Sequence, residues 1–343
     1  MKELTLQIRT SPHLKTTLST DTIMLHVILS LIPVVIFAVY AFGWSGLTLM
    51  VTTTLSCVLT EYILNGKDKG TKALKDWSAV LTGLLLALTL PPGFPLWMAF
   101  VGGMVAIALG KFVFGGLGQN LFNPALVGRA MLQAAFPVAI TTWTNAMAPD
   151  RFSSFIASSL TLPFLEPIKA DAISGATPLS AFKFDKITTD VQDLALGFTS
   201  GSLGETCAVL IALGGLYLAV RKMLNWRIPV GILGTVAVFT GLLYLIDPSK
   251  YPAPLAMLFS GGLMLGAVYM ATDMVSSPLS SIGVWIYSFV IGLLVVLIRI
   301  WGGLPEGVMY AILFGNALAP VLDKTIPKRI YGMPSVKTKT AKA

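Results

Sequence analysis

The stretch TIMLHVILSLIPVVIFAVYAF, residues 22–42, contains no aspartate, glutamate, lysine or arginine. A helix needs about 20 mostly apolar residues to cross the hydrocarbon core of a bilayer. Its backbone polar groups are then all paired within the helix, which is a condition for crossing lipid. The stretch therefore predicts a transmembrane helix near the start of the chain.

The rest of the chain repeats this pattern. Hydrophobic residues make up 55% and charged residues 12% of the 343 positions, and the mean hydropathy is +0.79, which excludes a water-soluble globule. The sequence predicts an all-α integral membrane protein with about ten transmembrane helices. Besides 22–42, the apolar runs are 44–64, 77–90, 95–115, 123–143, 203–220, 228–246, 253–274, 282–300 and 307–322. The run at 77–90 is short and precedes PPGFP, so it fits either a tilted crossing or a half-helix that turns back.

The distribution of lysine and arginine predicts the orientation. Positive residues cluster in residues 1–21, in NGKDKGTKALKD at 65–76, in 221–227 and in 323–343, whereas the intervening short loops together carry one lysine. By the positive-inside rule, both termini are cytoplasmic and the long polar loop at 145–204 lies outside. The chain is thus expected to be a multi-pass protein of the cytoplasmic membrane. This topology accounts for the formal charge of +8 without nucleic acid as a partner.

An internal repeat divides the chain. TGLLLALTLPPGFPLWMAFVGG at 82–103 resembles TGLLYLIDPSKYPAPLAMLFSGG at 240–262, with one residue inserted, which indicates duplication. We therefore expect an interfacial leader (1–21), a first transmembrane half (22–144), an extracytoplasmic loop (145–204), a second half (205–322) and a basic tail (323–343). Ten crossings give the two copies the same direction. Inverted repeats are common around cavities at the membrane midplane, so both orientations stay open.

Few residues can bind a metal. The two cysteines, Cys57 and Cys207, lie far apart in separate apolar runs and cannot by themselves supply the four thiolates of a usual iron–sulfur cluster. The two histidines are poorly placed as axial haem ligands, since His13 lies in the leader and His26 near the start of a span. We expect no metal site.

Polar residues inside the apolar runs are candidate site residues, because each is costly in hydrocarbon. They are Asn120, Asn123, Arg129, Asp273 and Asn316. The segments GGLGQNLFNPALVGRAML at 115–132 and LFGNALAPVLD at 313–323 combine glycine, asparagine and proline, which predicts broken helices whose free backbone groups bind a polar ligand or ion. The alternative interpretation is that these residues cap helices and fill kinks.

The loop stretch DAISGATPLS, at 171–180, contains a candidate site for covalent modification. Gly175 and Ala176 leave the backbone open before Thr177. Pro178 favours an extended conformation at Thr177, which would display its hydroxyl on an outward loop. A displayed hydroxyl is a suitable substrate for another enzyme.

The full string resembles a flavinylation signal, in which an acidic residue precedes S/T-G-A-T/S and the last hydroxyl carries FMN through a phosphoester. Asp171 would be the acidic residue, and Ser174, Gly175 and Ala176 would complete the signal. The resemblance makes Thr177 the attachment residue for covalent FMN.

The chain as a whole resembles a family of membrane proteins that includes RnfD of the Rnf complex and, more distantly, NqrB of the sodium-translocating NADH:quinone reductase. The motifs that carry the resemblance are SPH, GGLGQNLFNPALVGRAML, DAISGATPL, TSGSLGET, GGLMLGAVYMATDMVSSPLS and FGNALAPVLDK. The chain lacks the longer N-terminus usual in the quinone-reductase protein, which favours the Rnf branch.

The resemblance implies a subunit of a multi-subunit ferredoxin:NAD oxidoreductase that moves Na⁺ or H⁺ across the membrane and is not catalytic alone. Implied cofactors are FMN on Thr177 and a second, non-covalent flavin, riboflavin. Asn120, Asn123, Asp273 and Asn316 are candidates for the second flavin or the ion path. The implied partners are the A, B, C, E and G subunits of the Rnf complex, including iron–sulfur and flavoprotein subunits, together with a flavin transferase and the lipid bilayer.

A second hypothesis is a secondary transporter or channel. Ten spans, a duplication and broken helices also fit a solute path lined by Asn123, Asp273 and Asn316, with no redox role. Covalent flavin on the chain would distinguish the two hypotheses.

Overall fold

The computed structural model describes residues 19–163, 165, 176–205, 207–248 and 250–326, with the side chains of 67–73 excepted. Most of the leader and of the basic tail lies outside these ranges, as do Asp171, Ser174 and Gly175. Within the described residues the regular elements are helical, as predicted. The α-helices are α1 Thr20–Ala73, α2 Ser78–Leu88, α3 Leu96–Ile107, α4 Pro124–Ala135, α5 Pro137–Ile140, α6 Pro178–Ser180, α7 Val191–Leu196, α8 Ala208–Val220, α9 Arg227–Ile246, α10 Pro254–Phe259, α11 Leu263–Leu265, α12 Ser281–Trp301 and α13 Val308–Thr325.

The first two predicted spans are the two parts of α1. The helix breaks at Gly43, whose φ of 65° is in the left-handed region. The loop carbonyl of Arg151 accepts a hydrogen bond there from the backbone of Trp44, at 3.1 Å. A Cβ at Gly43 would lie 1.8 Å from that carbonyl oxygen. The break therefore needs glycine both for its dihedral angles and for the close approach of the loop.

Three described helices are long and apolar enough to cross a membrane: Thr20–Gly66, Arg227–Ile246 and Ser281–Trp301. The first contains the break at Gly43 and thus supplies two of the predicted spans. Shorter apolar helices occupy Ser78–Leu88, Leu96–Phe112 and Ala208–Val220. The count of ten crossings stays a prediction.

Two predicted spans are interrupted. The run at 123–143 forms α4, which ends at Ala135, and then the short α5, because Pro137 cannot continue the helix. The run at 253–274 is divided into α10, α11 and a π-helical segment at Gly266–Met270. Its first break lies at Ser260, with extended backbone, and at Gly261, with a φ of 67°.

The turns within the two repeat segments both contact the central loop. In the first segment, the PPGFP turn meets the loop, where Ser158 Oγ donates to the Gly93 carbonyl at 2.7 Å. After the second copy's helix, Pro252 and Thr188 of the loop line the same small cavity. Each copy also carries a π-helical segment shortly after its paired glycines, at Ala108–Phe112 and Gly266–Met270. The duplication and the relative direction of its copies stay predictions.

The two halves share one apolar core, which includes Leu31, Leu86, Ile232 and Tyr287. Helices approach closely at glycines, as is usual where lipid removes the hydrophobic drive for association. A Cβ on Gly83 of α2 would lie 2.5 Å from the Cα of Thr54. At this contact, the backbones of α1 and α2 pack directly against each other.

Candidate functional site

Thr177 lies at the start of the short helix α6. Its backbone is extended, with φ −68° and ψ 152°, as the following proline predicts. Its Oγ1 accepts a hydrogen bond from the backbone N–H of Ser180 at 3.2 Å and lies 3.0 Å from Ser180 Oγ. The expectation of a displayed side chain is wrong, because Thr177 is only 7% exposed. The sequence predicted the extended backbone but not the burial of the side chain.

A cleft of about 540 Å³ opens beside Thr177. Its volume falls within the range of about 300–1,000 Å³ that is usual for small-molecule and cofactor sites. The aromatic lining residues are Trp143, Phe184 and Tyr310, and the charged ones among the described residues are Arg129, Glu205 and Glu306. The cleft therefore combines apolar surfaces with a few polar groups, close to a hydroxyl that could be modified.

Lys183 holds the segment that follows Thr177 against α12. Its ammonium donates hydrogen bonds to the carbonyls of Ile298, Gly302 and Leu304, at and beyond the C-terminal end of α12. Cations are favourable at helix C-termini, where carbonyls lack partners within the helix. Partial burial lowers the pKa of the Lys183 amine below its ordinary value. On the other side, Ser200 Oγ donates to the Ala176 carbonyl at 2.8 Å.

Four charged side chains form a cluster at the cleft, which is called the charged cluster here and consists of Arg129, Arg299, Glu205 and Glu306. Arg129, Glu205 and Glu306 line the cleft, and Arg299 lies behind them, where it interacts electrostatically with both glutamates. Arg129 Nη2 donates to Glu306 Oε2 at 3.2 Å. Glu306 Oε1 accepts the backbone N–H of Gly262. The charged cluster therefore lies beside the break between α10 and α11.

The predicted residues Asn120, Asn123 and Asp273 come together on the opposite side of the core. Asn120 Nδ2 donates to Asp273 Oδ2 at 3.3 Å. Asn123 caps α4, where its Oδ1 accepts the backbone N–H of Ala125 at 3.0 Å, and its Nδ2 donates to the Met270 carbonyl at 3.2 Å. Asn123 thus caps a helix, as the alternative interpretation of these residues predicted, and the helix break expected within 115–132 lies directly before it.

The small cavity beside this cluster measures about 90 Å³, which is below the usual range for cofactor sites. Both carboxylate oxygens of Asp273 already accept hydrogen bonds, from Ser276 Oγ and the backbone of Val275 among others. A flavin ring does not fit this cavity as it is shaped. Most of its lining residues are apolar, but Asn120, Asn123 and Asp273 give one part of the wall polar groups, and its size fits water or a small ion.

Asn316 is separate from these three residues. It lies fully buried in α13, and Tyr287 donates its hydroxyl to Asn316 Oδ1 at 2.9 Å. The prediction of a broken helix at this segment is wrong, because α13 runs from Val308 to Thr325 through both Asn316 and Pro320. The Nδ2 of Asn316 is buried and has no hydrogen-bond partner among the described residues.

Nearly the whole chain has relatives among known proteins. It matches the NQR2, RnfD, RnfE family over residues 7–332. The chain belongs to this family.

Several relatives of the NQR2, RnfD, RnfE family match along nearly their whole length. The chain is similar, with 41% identity and 92% of each chain covered, to the D subunit of the ion-translocating oxidoreductase complex of Stutzerimonas stutzeri. It is 39% identical, over 100% of both chains, to the D subunit of the Na⁺-translocating ferredoxin:NAD⁺ oxidoreductase complex of Acetobacterium woodii. It is 38% identical, with 92% and 93% covered, to the D subunit of the proton-translocating ferredoxin:NAD⁺ oxidoreductase complex of Clostridium ljungdahlii.

In this member of the NQR2, RnfD, RnfE family, sequence reasoning missed several buried charged residues. Lys111 of the first π-helical segment pairs with Glu61 of α1, and both are buried. The same rule that selected Arg129 and Asp273 would have found them, because Glu61, Lys111, Glu205 and Arg299 all lie within predicted apolar runs. Glu306 follows such a run in an outward turn, and sequence alone gave no signal for its role.

The cleft beside Thr177 fits a flavin, which is the cofactor that the family resemblance implies. The fit rests on the cleft volume, on the neighbouring hydroxyl, and on aromatic residues that can pack against a planar ring. Buried polar atoms without partners also lie on Arg129 and Glu205 in the cleft wall. Such atoms in a native structure require an explanation, and a ligand with polar edges supplies one.

Proposed function

We propose that the chain is the membrane electron-transfer subunit of an ion-translocating ferredoxin:NAD oxidoreductase complex. Family membership and relatives with these printed names support the proposal. The chain acts with partner subunits, including iron–sulfur and flavoprotein subunits, and is not catalytic alone. One relative is named for Na⁺ and another for protons, so the coupling ion of this chain is either of the two.

The redox cofactor of the proposal is FMN, bound to Thr177 through a phosphoester that a flavin transferase forms. The observation that carries this assignment is the position of the Thr177 hydroxyl in the wall of the 540 Å³ cleft. When bound, the flavin would supply the electron-carrying chemistry, while the protein binds and orients it and tunes its electrostatics.

The chain's own residues have three roles in this proposal. The hydrogen bonds of Lys183 fix the segment after Thr177 at the cleft. Trp143 and Tyr310 supply aromatic surface, which limits water around a planar ligand. The charged cluster provides fixed charges in a region of low water content, where electrostatic interactions are stronger than in bulk water.

We assign Asn120, Asn123 and Asp273 to the ion path. Their side chains form the polar part of a mainly apolar cavity whose size suits a small ion or water. The second flavin, riboflavin, belongs to the proposal through the family resemblance alone, and we assign no described residue to it.

Flavin fluorescence in a denaturing gel tests the central assignment, because only covalently bound flavin stays with the chain. We expect a fluorescent band for the wild-type chain, a weaker or equal band for Thr177→Ser, and none for Thr177→Val. Fluorescence that persists in Thr177→Val would place the flavin on another residue. A dark wild-type band, from cells that express the flavin transferase, would favour the transporter hypothesis.

A further inference from the structure

The charged cluster contains two arginines that differ in how completely they are used. Arg299 donates through Nη1 to the Met257 carbonyl at 2.7 Å and through Nη2 to the Ser260 carbonyl at 3.0 Å. It thereby caps the end of α10, where carbonyls lack helical partners. Its Nε is also buried without a partner among the described residues, but Arg299 does not line the cleft, so a ligand in the cleft would not reach it.

Arg129 has no such backbone role among the described residues. Its recorded partner is Glu306, through a single Nη2–Oε2 hydrogen bond of 3.2 Å. Its Nε is buried and has no hydrogen-bond partner in the described part of the chain. Unlike Arg299, Arg129 lines the cleft beside Thr177. A buried guanidinium donor without an acceptor is costly, so an acceptor on a ligand would satisfy it.

Glu205 supplies the complementary group. It lines the same cleft, and the Arg129 guanidinium interacts with its carboxyl group electrostatically. Its Oε1 is buried and has no partner among the described residues, whereas Ser202 is a hydrogen-bond partner of the carboxyl group. The cleft wall thus offers one free donor and one free acceptor on neighbouring side chains.

We propose that Arg129 and Glu205 bind the pyrimidine edge of the flavin ring in the cleft. This edge presents a carbonyl oxygen, an N–H and a second carbonyl oxygen in a row. Arg129 donates to a carbonyl oxygen, and Glu205 accepts the N3–H. The inference rests on the proposed function, since it concerns the flavin that Thr177 would carry.

The phosphate of FMN is the competing partner for Arg129, since guanidinium groups bind phosphate well. The pair of carboxyl groups around Arg129, Glu205 and Glu306, argues against it, because the negative charge of this pair repels an anionic phosphoester. Glu306 already neutralises the Arg129 charge in part. A ring edge with both donor and acceptor atoms satisfies both side chains.

Ring analogues without a phosphate separate these alternatives. The full chain carrying Thr177→Val, which cannot form the phosphoester, is placed in lipid nanodiscs and titrated with lumiflavin and with 3-methyl-lumiflavin. We expect the methyl group on N3 to weaken binding about tenfold, because it removes the hydrogen bond to the Glu205 carboxyl oxygen and places a methyl group against that oxygen. Glu205→Ala should abolish this discrimination. Equal binding of the two analogues to the Thr177→Val chain, or no binding of either, would overturn the inference.

Arg129→Gln should weaken lumiflavin binding about tenfold or more for the same reason. The variant also leaves Glu306 without its cation, so Arg129→Gln/Glu306→Gln removes both charges together. We expect the double variant to bind lumiflavin as weakly as Arg129→Gln does. Full recovery would mean that Arg129 only balances Glu306. An Arg129 effect on FMN binding but not on lumiflavin binding would assign Arg129 to the phosphate.

Arg151→Gln is the matched control, because Arg151 lies in the outward loop and bonds to the Tyr40 carbonyl, away from the cleft. It should bind both analogues as the parent chain does. These outcomes are independent of the gel test, which asks whether the wild-type chain carries covalent flavin at all. A fluorescent wild-type band with equal binding of the two analogues would reject the inference and keep the proposed function.

Discussion

At the scale of single residues, Thr177 combines two roles that a substitution can separate. Its hydroxyl is the proposed attachment point for FMN, and the same oxygen accepts the backbone N–H of Ser180. Pro178 fixes the extended backbone, and a β-branched residue suits that conformation. Valine therefore keeps the β-branched shape of the side chain, and serine keeps its hydroxyl group.

We expect Thr177→Val to lower the free energy of unfolding by about 1 kcal/mol, as the loss of a helix N-cap usually does. Thr177→Ser keeps the cap and should change stability less. Asp190→Ala is the matched control, because Asp190 caps α7 in the same loop and does not line the cleft. Thermal unfolding measures the stability of the three variants. A loss of folded chain in Thr177→Val but not in Asp190→Ala would contradict a simple capping role.

At the scale of elements, the break between α10 and α11 positions the floor of the cleft. Gly261 has a φ of 67°, and a Cβ there would lie 2.7 Å from Leu179 Cδ1 and 3.0 Å from Arg299 Nη2. Leu179 follows Thr177 closely in the chain, so this one glycine brings the proposed flavin attachment site next to the charged cluster.

Gly261→Ala should lower the free energy of unfolding by at least about 1–2 kcal/mol, the usual cost of a left-handed conformation for a residue with a Cβ. The close contacts of the new Cβ with Leu179 and Arg299 add to this cost. The substitution should also reduce covalent flavin. Gly303→Ala is the control, since a Cβ there meets nothing within 4 Å. Thermal unfolding and gel fluorescence of both variants test this. Equal stability of the two would show that the break tolerates a side chain.

The sequence predicted most elements but not their interruptions or the charged cluster. Apolar runs located the helices of the bundle, and Asn123 before Pro124 correctly predicted a helix start. The break at Gly261 lies in a run whose hydropathy is continuous, so periodicity could not reveal it. The cluster joins Glu205, Arg129 and Glu306, which are far apart in the chain, and only tertiary packing brings them together.

At the scale of the whole molecule, the turns within both repeat segments contact the central loop that carries Thr177. The Thr177 cleft and the cavity at Asn120 and Asp273 are separate and share no lining residue. The orientation of this arrangement in the membrane is a prediction from the lysine distribution.

We predict from the lysine distribution that the loop is outside and the C-terminus is inside. A reporter that is active only outside the cytoplasm should give a signal when fused near Ala195, and one active only in the cytoplasm should do so at Ala343. The reciprocal fusions are the controls and should be silent. The opposite pattern would invert the topology and place Thr177 on the cytoplasmic side.

Mass spectrometry of the tryptic peptide ADAISGATPLSAFK, residues 170–183, tests the central claim most directly. The peptide contains three hydroxyl residues, Ser174, Thr177 and Ser180, so fragmentation can locate a modification. The account predicts an added mass equal to FMN less one water, with fragment ions that place it on Thr177. An unmodified peptide from cells with an active flavin transferase, or an FMN mass located on Ser174 or Ser180, would contradict it.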